Sequence, residues 1–180
     1  MKTLYIERSA GNARDGSWVE ELDVEGVDRI VVGIGPGSFA GIRSALAFAQ
    51  GFAIGSGCEV LGLPSACASA EPFLRNDRHI AVLGDARQGK IWIALFDGYS
   101  LSKEVFQVDA ESLPSSVPES FKIVSPDDSR IGSLLSGMFG PRYLGLSTPT
   151  AKSLEAFAVA CPEILKSEPL PHYLNPAVRN

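Results

Sequence analysis

This sequence predicts an α/β fold, and three stretches carry the prediction. The apolar β-branched run Arg29-Ile30-Val31-Val32 passes through a glycine-rich turn into an alanine-rich segment from Ser44 to Ile54, the pattern of a buried strand, a tight turn and a helix. Glu59-Val60-Leu61-Gly62-Leu63 then reads as a further strand, so strand and helix alternate as they do around parallel sheets. From His79 onward several short strands follow in close succession before an amphipathic helix near the end.

Composition sets the bounds. A chain of 180 residues can bury a real core, and 45% apolar with 21% charged residues is ordinary for a globular protein. A net charge of −5 and a pI near 5.1 argue against a broad basic surface as the main grip on nucleic acid. The three cysteines, Cys58, Cys67 and Cys161, form no Cys-x-x-Cys pair, so buried free thiols in a reducing cytoplasm are expected. The N-terminus has no long apolar run and no stretch of eighteen apolar residues occurs, so neither a secretion signal nor a membrane span is expected.

Taken in order, residues 3–7 read as a short strand and Gly11 to Gly16 as a turn-rich break. Ser17 to Val24 reads as a second strand, and residues 29–34 as a buried one because the run is continuously apolar. Gly41 to Ile54 is a helix, apolar most of the way round and therefore buried in a core or at an interface. Gly55 to Gly57 ends it, residues 59–63 form a strand, and Ser65 caps a short helix from Ala66 to Phe73. His79 to Leu83 and Lys90 to Asp97 pair as a hairpin around a turn at Ala86 to Gly89. Strands follow at Val105–Val108, Phe121–Val124 and Arg142–Leu146, with a loop or short helix at 110–119. Thr150 to Cys161 is an amphipathic helix with Leu154, Phe157 and Ala158 on one face. The order of three strands, short helix, strand, strand, helix resembles a ribonuclease-H-like unit, and the first block resembles an abbreviated version of it. The expected boundaries are 1–76 for the abbreviated half, 77–165 for the second half and 166–180 for a tail.

The glycine-rich turn, Gly33-Ile34-Gly35-Pro36-Gly37-Ser38-Phe39-Ala40-Gly41-Ile42-Arg43, places backbone N–H groups at a helix N-terminus, where an anion or another chain can approach. Its spacing fits neither a P-loop, since Ala40 stands at the second glycine and no Lys-Ser/Thr follows, nor Gly-x-Gly-x-x-Gly, since Ser38 stands at the third. Gly37-Ser38-Phe39 lacks the second glycine of a nucleophile elbow, so Ser38 is expected as a helix N-cap. His79 and His172 lie in no metal-binding pattern.

Gly35-Pro36-Gly37-Ser38-Phe39-Ala40-Gly41-Ile42-Arg43 resembles the Gly-Pro-Gly-Ser-Phe-Thr-Gly-[Leu/Val/Ile]-Arg signature of the TsaB (YeaZ) family. Asp85-Ala86-Arg87-Gln88-Gly89-Lys90-Ile91-Trp92 is similar to that family's Asp-Ala-Arg-x-x-Glu-[Val/Ile]-[Tyr/Trp] hairpin, and Pro171-His172-Tyr173-Leu174-Asn175 to its Pro-x-Tyr-Leu-Arg ending. The resemblance covers roughly residues 28–180. It implies an actin-like ATPase superfamily fold of two ribonuclease-H-like halves. It implies a non-catalytic partner of a TsaD-like protein in threonylcarbamoyladenosine modification of tRNA, with a TsaE-like ATPase as a further partner, a homodimer, and only indirect contact with tRNA. No cofactor is expected beyond weak binding of ATP or ADP.

Five departures stand out. Glu7-Arg8-Ser9 replaces the family's Asp-Thr-Ser, and only about twenty residues separate Ser9 from Ile30, too few for a hairpin and a long helix. Ala40 replaces a Thr, Lys90 a Glu and Asn175 an Arg. Open alternatives remain at three places. Asp85 and Arg87 form either a surface ion pair or the lining of a cleft. Arg43 bridges either to a structural carboxylate or to a phosphate. Phe48 and Phe52 anchor either a partner or the chain's own core.

Overall fold

A computed structural model describes residues 1–10 and 17–174, which form two compact units. One comprises Met1–Ala68 with Pro149–His172; the other comprises Ser69–Thr148 with the segment from Tyr173. The expected break at Gly11–Gly16 and the Asn175 departure lie outside the described residues.

In the first unit, β1 (Lys2–Ile6), β2 (Val27–Gly33) and β3 (Glu59–Leu63) run parallel, and β3 is edged by a short antiparallel strand at Lys166–Ser167. β2 reads Val-Asp-Arg-Ile-Val-Val-Gly, and its last five residues, Arg29 apart, are fully buried because helices cover both faces of a central parallel strand. One face packs Ile30, Val32 and Ile34 against Ile42, Ala45, Leu46 and Ala49 of α1 (Phe39–Ser56). The predicted strand at Ser17–Val24 is instead a 3-10 turn at Ser17–Val19 followed by loop, and Trp18 and Leu22 close the edge of this core. A strand there would need a free ladder partner, whereas the side chains serve as a lid over α1 and β2. No described residue adds an antiparallel hairpin to β1, so the first unit is abbreviated as expected.

α2 (Ser65–Leu74) follows β3, one residue longer at each end than predicted. The second unit is built on β4 (His79–Arg87) and β5 (Lys90–Asp97), joined by a turn in which Arg87, Gln88 and Gly89 all have positive φ. After the two-residue β6 (Ser100–Leu101), β7 (Phe106–Asp109) pairs with the near end of β5. β8 (Lys122–Ser125) and β9 (Tyr143–Leu146) add in parallel on the far side of β4. The order β7-β5-β4-β8-β9, antiparallel for the hairpin and parallel beyond it, is the ribonuclease-H-like arrangement. Gly84 lies opposite Trp92 in the ladder, where a Cβ would overlap the indole.

Two more helices complete the fold after the one-turn α3 (Leu113–Ser116). α4 (Asp128–Phe139) was not foreseen; it lays Ile131, Leu135 and Phe139 on the core formed by Ile91, Ile93 and Ile123. α5 (Ala151–Ala160) starts from a capping box in which Thr150 and Ser153 serve each other, and buries Leu154, Phe157 and Ala158. The expected boundaries group α5 with the second half. By packing it belongs to the first, where it covers β1, because the chain returns after Thr148.

Candidate functional site

The glycine-rich turn is the junction between β2 and α1, and it is closed on itself. Ser9 O accepts from Ser38 N at 2.5 Å, and Ser38 Oγ accepts from Gly41 N at 3.3 Å as the N-cap. Gly35 N donates to Ser65 Oγ at 3.0 Å, Ser65 N returns to Gly35 O at 2.8 Å, and Ile34 N reaches Leu63 O at 2.9 Å. Ile34 O accepts from His172 N at 2.8 Å, so the Pro171-His172-Tyr173 ending is stitched to the same turn.

The glycines are required by close approach. A Cβ at Gly37, whose φ is +155, would stand 2.5 Å from Ser9 O, and one at Gly41 would overlap Arg8 O. Gly35 has φ +93 and precedes a cis Pro36. The segment Glu7-Arg8-Ser9 therefore lies directly on the turn. Two backbone donors at the start of α1, Ser38 N and Gly41 N, are taken by Ser9 O and Ser38 Oγ, and Pro36 supplies none.

Glu7 sits beneath this contact. Its Oε1 accepts from Ser9 N at 2.7 Å, while Oε2 is buried without a hydrogen-bond partner. The residue as a whole is half-buried, but the inaccessible atoms are the ones that carry the charge, and they decide its chemistry. A Cβ at Gly33 would overlap this carboxylate. Burial pushes the Glu7 carboxyl up, against the pull of hydrogen bonds from Ser9, the Ser65 side chain and the Arg8 backbone. Arg8 Nε is likewise buried without a partner, and its guanidinium carbon lies 5.3 Å over the Trp18 ring.

Of the other predicted positions, Pro36 is buried and Phe39 is 55% exposed. The Arg43 guanidinium lies 4.8 Å over the Phe39 ring, and among the described residues it forms no ion pair with a carboxylate. Phe48 and Phe52 are half-buried, stacked 6.1 Å apart, with Phe48 edge-on to Trp18 at 5.6 Å. They pack on the first unit's core. The outward face of α1 carries Phe39, Ala40, Arg43, Ala47, Gly51 and Ile54, the last 89% exposed.

In the second unit Asp85 and Arg87 come together at the end of β4, their Oδ2 and Nη1 3.4 Å apart. A bulge between them sets the approach, which an extended strand alone would not give. Two further residues join them from α4 and its cap. Arg130 Nη1 lies 3.6 Å from the same Asp85 oxygen, and Asp127 Oδ2 accepts from Asp85 N at 3.0 Å. Burial first, and the Asp85 charge against it, raise the Asp127 carboxyl, while Arg130 and the Asp85 amide pull it down. Nothing in the sequence joins residues 42 apart, so this pairing was out of reach of local reading. His79 Nε2 lies 3.7 Å from Asp97 Oδ1, and its ring lies 5.1 Å from that of Phe121. Among the described residues no group of three His, Cys, Asp or Glu could hold a metal ion, and no helix is long and apolar enough to cross a membrane.

The strand order and paired units define an actin-like, ribonuclease-H-like protein. A family model described as TsaD, tRNA N6-adenosine threonylcarbamoyltransferase, matches residues 19–130, well over half of the chain, and the chain belongs to that family. Two solved structures share the fold at 20% identity, covering 88% of this chain and 80% of theirs. One is an uncharacterized protein with similarity to peptidase YEAZ from Pseudomonas aeruginosa, TM-score 0.68; the other is YeaZ from Pseudomonas aeruginosa, TM-score 0.65. The fold is thus YeaZ-like, as the three motifs implied. No curated protein matches the sequence.

Proposed function

We propose that this chain acts in threonylcarbamoyl modification of tRNA as a non-catalytic partner of a TsaD-like transferase. Membership of the transferase family and the YeaZ-like fold support the pathway. The closed β2–α1 junction carries the partner role. Ser38 N and Gly41 N serve Ser9 and Ser38 of the same chain, which favours a rigid launch for α1 over a phosphate cradle or a nucleophile seat. α1 then presents Ala40, Ala47 and Gly51 outward between Phe39 and Ile54, a surface that a second helix can approach closely.

Size-exclusion chromatography with light scattering, run with the TsaD-like protein of the same genome, tests this reading. A complex is expected, together with a dependence of threonylcarbamoyladenosine formation on the added chain. Gly51→Glu, at a site with nothing within 4 Å of its Cβ, should weaken binding at least tenfold while leaving the fold intact. No complex and an unchanged rate would reject the proposal. A homodimer through the same face would compete with the partner and lower its apparent affinity. Calorimetry with ATP and magnesium is expected to show no micromolar binding, since Ser38 N and Gly41 N already serve the junction itself and Pro36 has no N–H; such binding would favour a nucleotide-dependent role.

A further inference from the structure

The segment that follows β1 is seated on the β2–α1 turn through its backbone, and a buried carboxyl lies under the seat. Ser9 O accepts from Ser38 N at 2.5 Å, and Ser38 is the N-cap of α1. Ser9 O and Arg8 O stand where Cβ atoms at Gly37 and Gly41 would be, so Glu7-Arg8-Ser9 covers the start of the helix.

Glu7 joins this contact to the rest of the first unit. Its Oε1 accepts from Ser9 N at 2.7 Å and so fixes the residue whose carbonyl oxygen meets Ser38. Its Oε2 is buried without a hydrogen-bond partner and lies over Gly33 of β2, where a Cβ would overlap it. Ser65 of α2, whose Oγ accepts from Gly35 N at 3.0 Å, also pulls on the carboxyl. An uncharged carboxyl tolerates such a place, whereas a carboxylate with one dry, unserved oxygen is costly there.

We propose that Glu7 is a pH-sensitive latch on α1: uncharged, it holds Glu7-Arg8-Ser9 on the turn, and charged, it releases the segment and uncovers the helix start. Hydration of Oε2 requires the segment to lift from β2, and the Ser38–Ser9 bond then gives way while the sheet stays folded. Burial holds the Glu7 carboxyl above its ordinary value in the closed state, so the latch is closed at low pH and opens as pH rises through the raised value. The other titratable or charged groups around it are Arg8, Cys67 of α2 and His172. Arg8 keeps its charge throughout. Burial pushes the Cys67 thiol well up, so it stays protonated. His172 meets the turn through its backbone, N to Ile34 O at 2.8 Å. The charged residue of α1, Arg43, lies over Phe39. The latch stands on the first unit alone and does not depend on the partner reading.

NMR of the whole chain from pH 5 to pH 8 tests it, through amide shifts and through exchange with water expressed as protection factors. The Ser9 and Ser38 amides are expected to titrate together, and Ser38 should lose at least about tenfold in protection on the alkaline side. Ile42 N, which donates to Ser38 O at 3.0 Å within α1, is the internal reference and should keep its protection. Glu7→Gln should abolish both the titration and the loss, and His172→Gln should leave both in place. Amides that do not titrate, a titration without loss of protection at Ser38, an equal loss at Ile42, or a titration that survives in Glu7→Gln would overturn the latch. The wild-type titration and its contrast between Ser38 and Ile42 decide the matter even if a variant fails to fold.

Discussion

Replacing Glu7 by Gln should make this protein less sensitive to alkaline pH, and the size of the effect follows from the atoms around it. Glu7 Oε2 has no hydrogen-bond partner and no access to solvent, while Oε1 accepts from Ser9 N, and hydrogen bonding from Ser9, Ser65 and Arg8 is outweighed by burial. Burial raises the carboxyl above its ordinary value of 4.5 in the folded chain. The native state therefore binds the proton more tightly than the unfolded state. The associated stability is fully present below the unfolded value and is lost as pH rises through the raised folded value. Above that point the native state carries an ionised carboxylate with one unserved oxygen, a cost of about 1–3 kcal/mol. Gln is nearly isosteric and carries no charge. Urea unfolding should be followed by fluorescence of Trp18, which stands beside Arg8, and of Trp92 in the second unit, at pH 5 and pH 8. The readout is the change in the Glu7→Gln effect between the two pH values, which cancels any constant difference between amide and acid. A shift of about 1–3 kcal/mol in favour of Gln at pH 8 is expected, equivalent to roughly 2–4 °C per kcal/mol in a chain of this size. An effect that does not change between pH 5 and pH 8 would refute the argument, because it would mean that Glu7 meets the same protonation in both states.

Gly41→Ala should destabilise the first unit by about 2 kcal/mol or more in thermal unfolding, because its Cβ would overlap Arg8 O; the helix-propensity gain of about 1 kcal/mol does not offset a backbone collision. Thr150→Ala should cost about 1 kcal/mol by the same measurement, through loss of the capping box that starts α5. Tyr143→Phe removes the hydroxyl donor to Asp128 Oδ1, 2.5 Å away at the first turn of α4, and should lower the unfolding free energy by about 1–2 kcal/mol in urea titration; burial and that hydrogen bond also push the phenol well above its ordinary value, so no loss of stability is expected from Tyr143 ionisation below pH 10.

Local chemistry in the sequence determined much of this protein. The β-branched run into glycine and then alanine made β2, the turn and α1 readable; Ser38 was legible as a cap; β3 was placed to the residue. Each of these depends on periodicity or on hydrogen bonds spanning a few residues, which the chain carries in its own order. α4 was missed because Gly132, Gly137, Ser129, Ser133 and Ser136 weaken its intrinsic helicity, and only the burial of Ile131, Leu135 and Phe139 against the sheet holds it. The stretch after Ser17 reads as a strand, yet among the described residues no ladder partner reaches it. The site divides the same way. The sequence located Asp85 and Arg87, but tertiary structure decided that Asp127 and Arg130 complete their cluster, that Arg43 lies on Phe39, and that Ser9 closes the glycine turn. Those contacts join segments tens of residues apart or depend on side-chain direction, and burial and charge choose among such partners only once the sheets have formed.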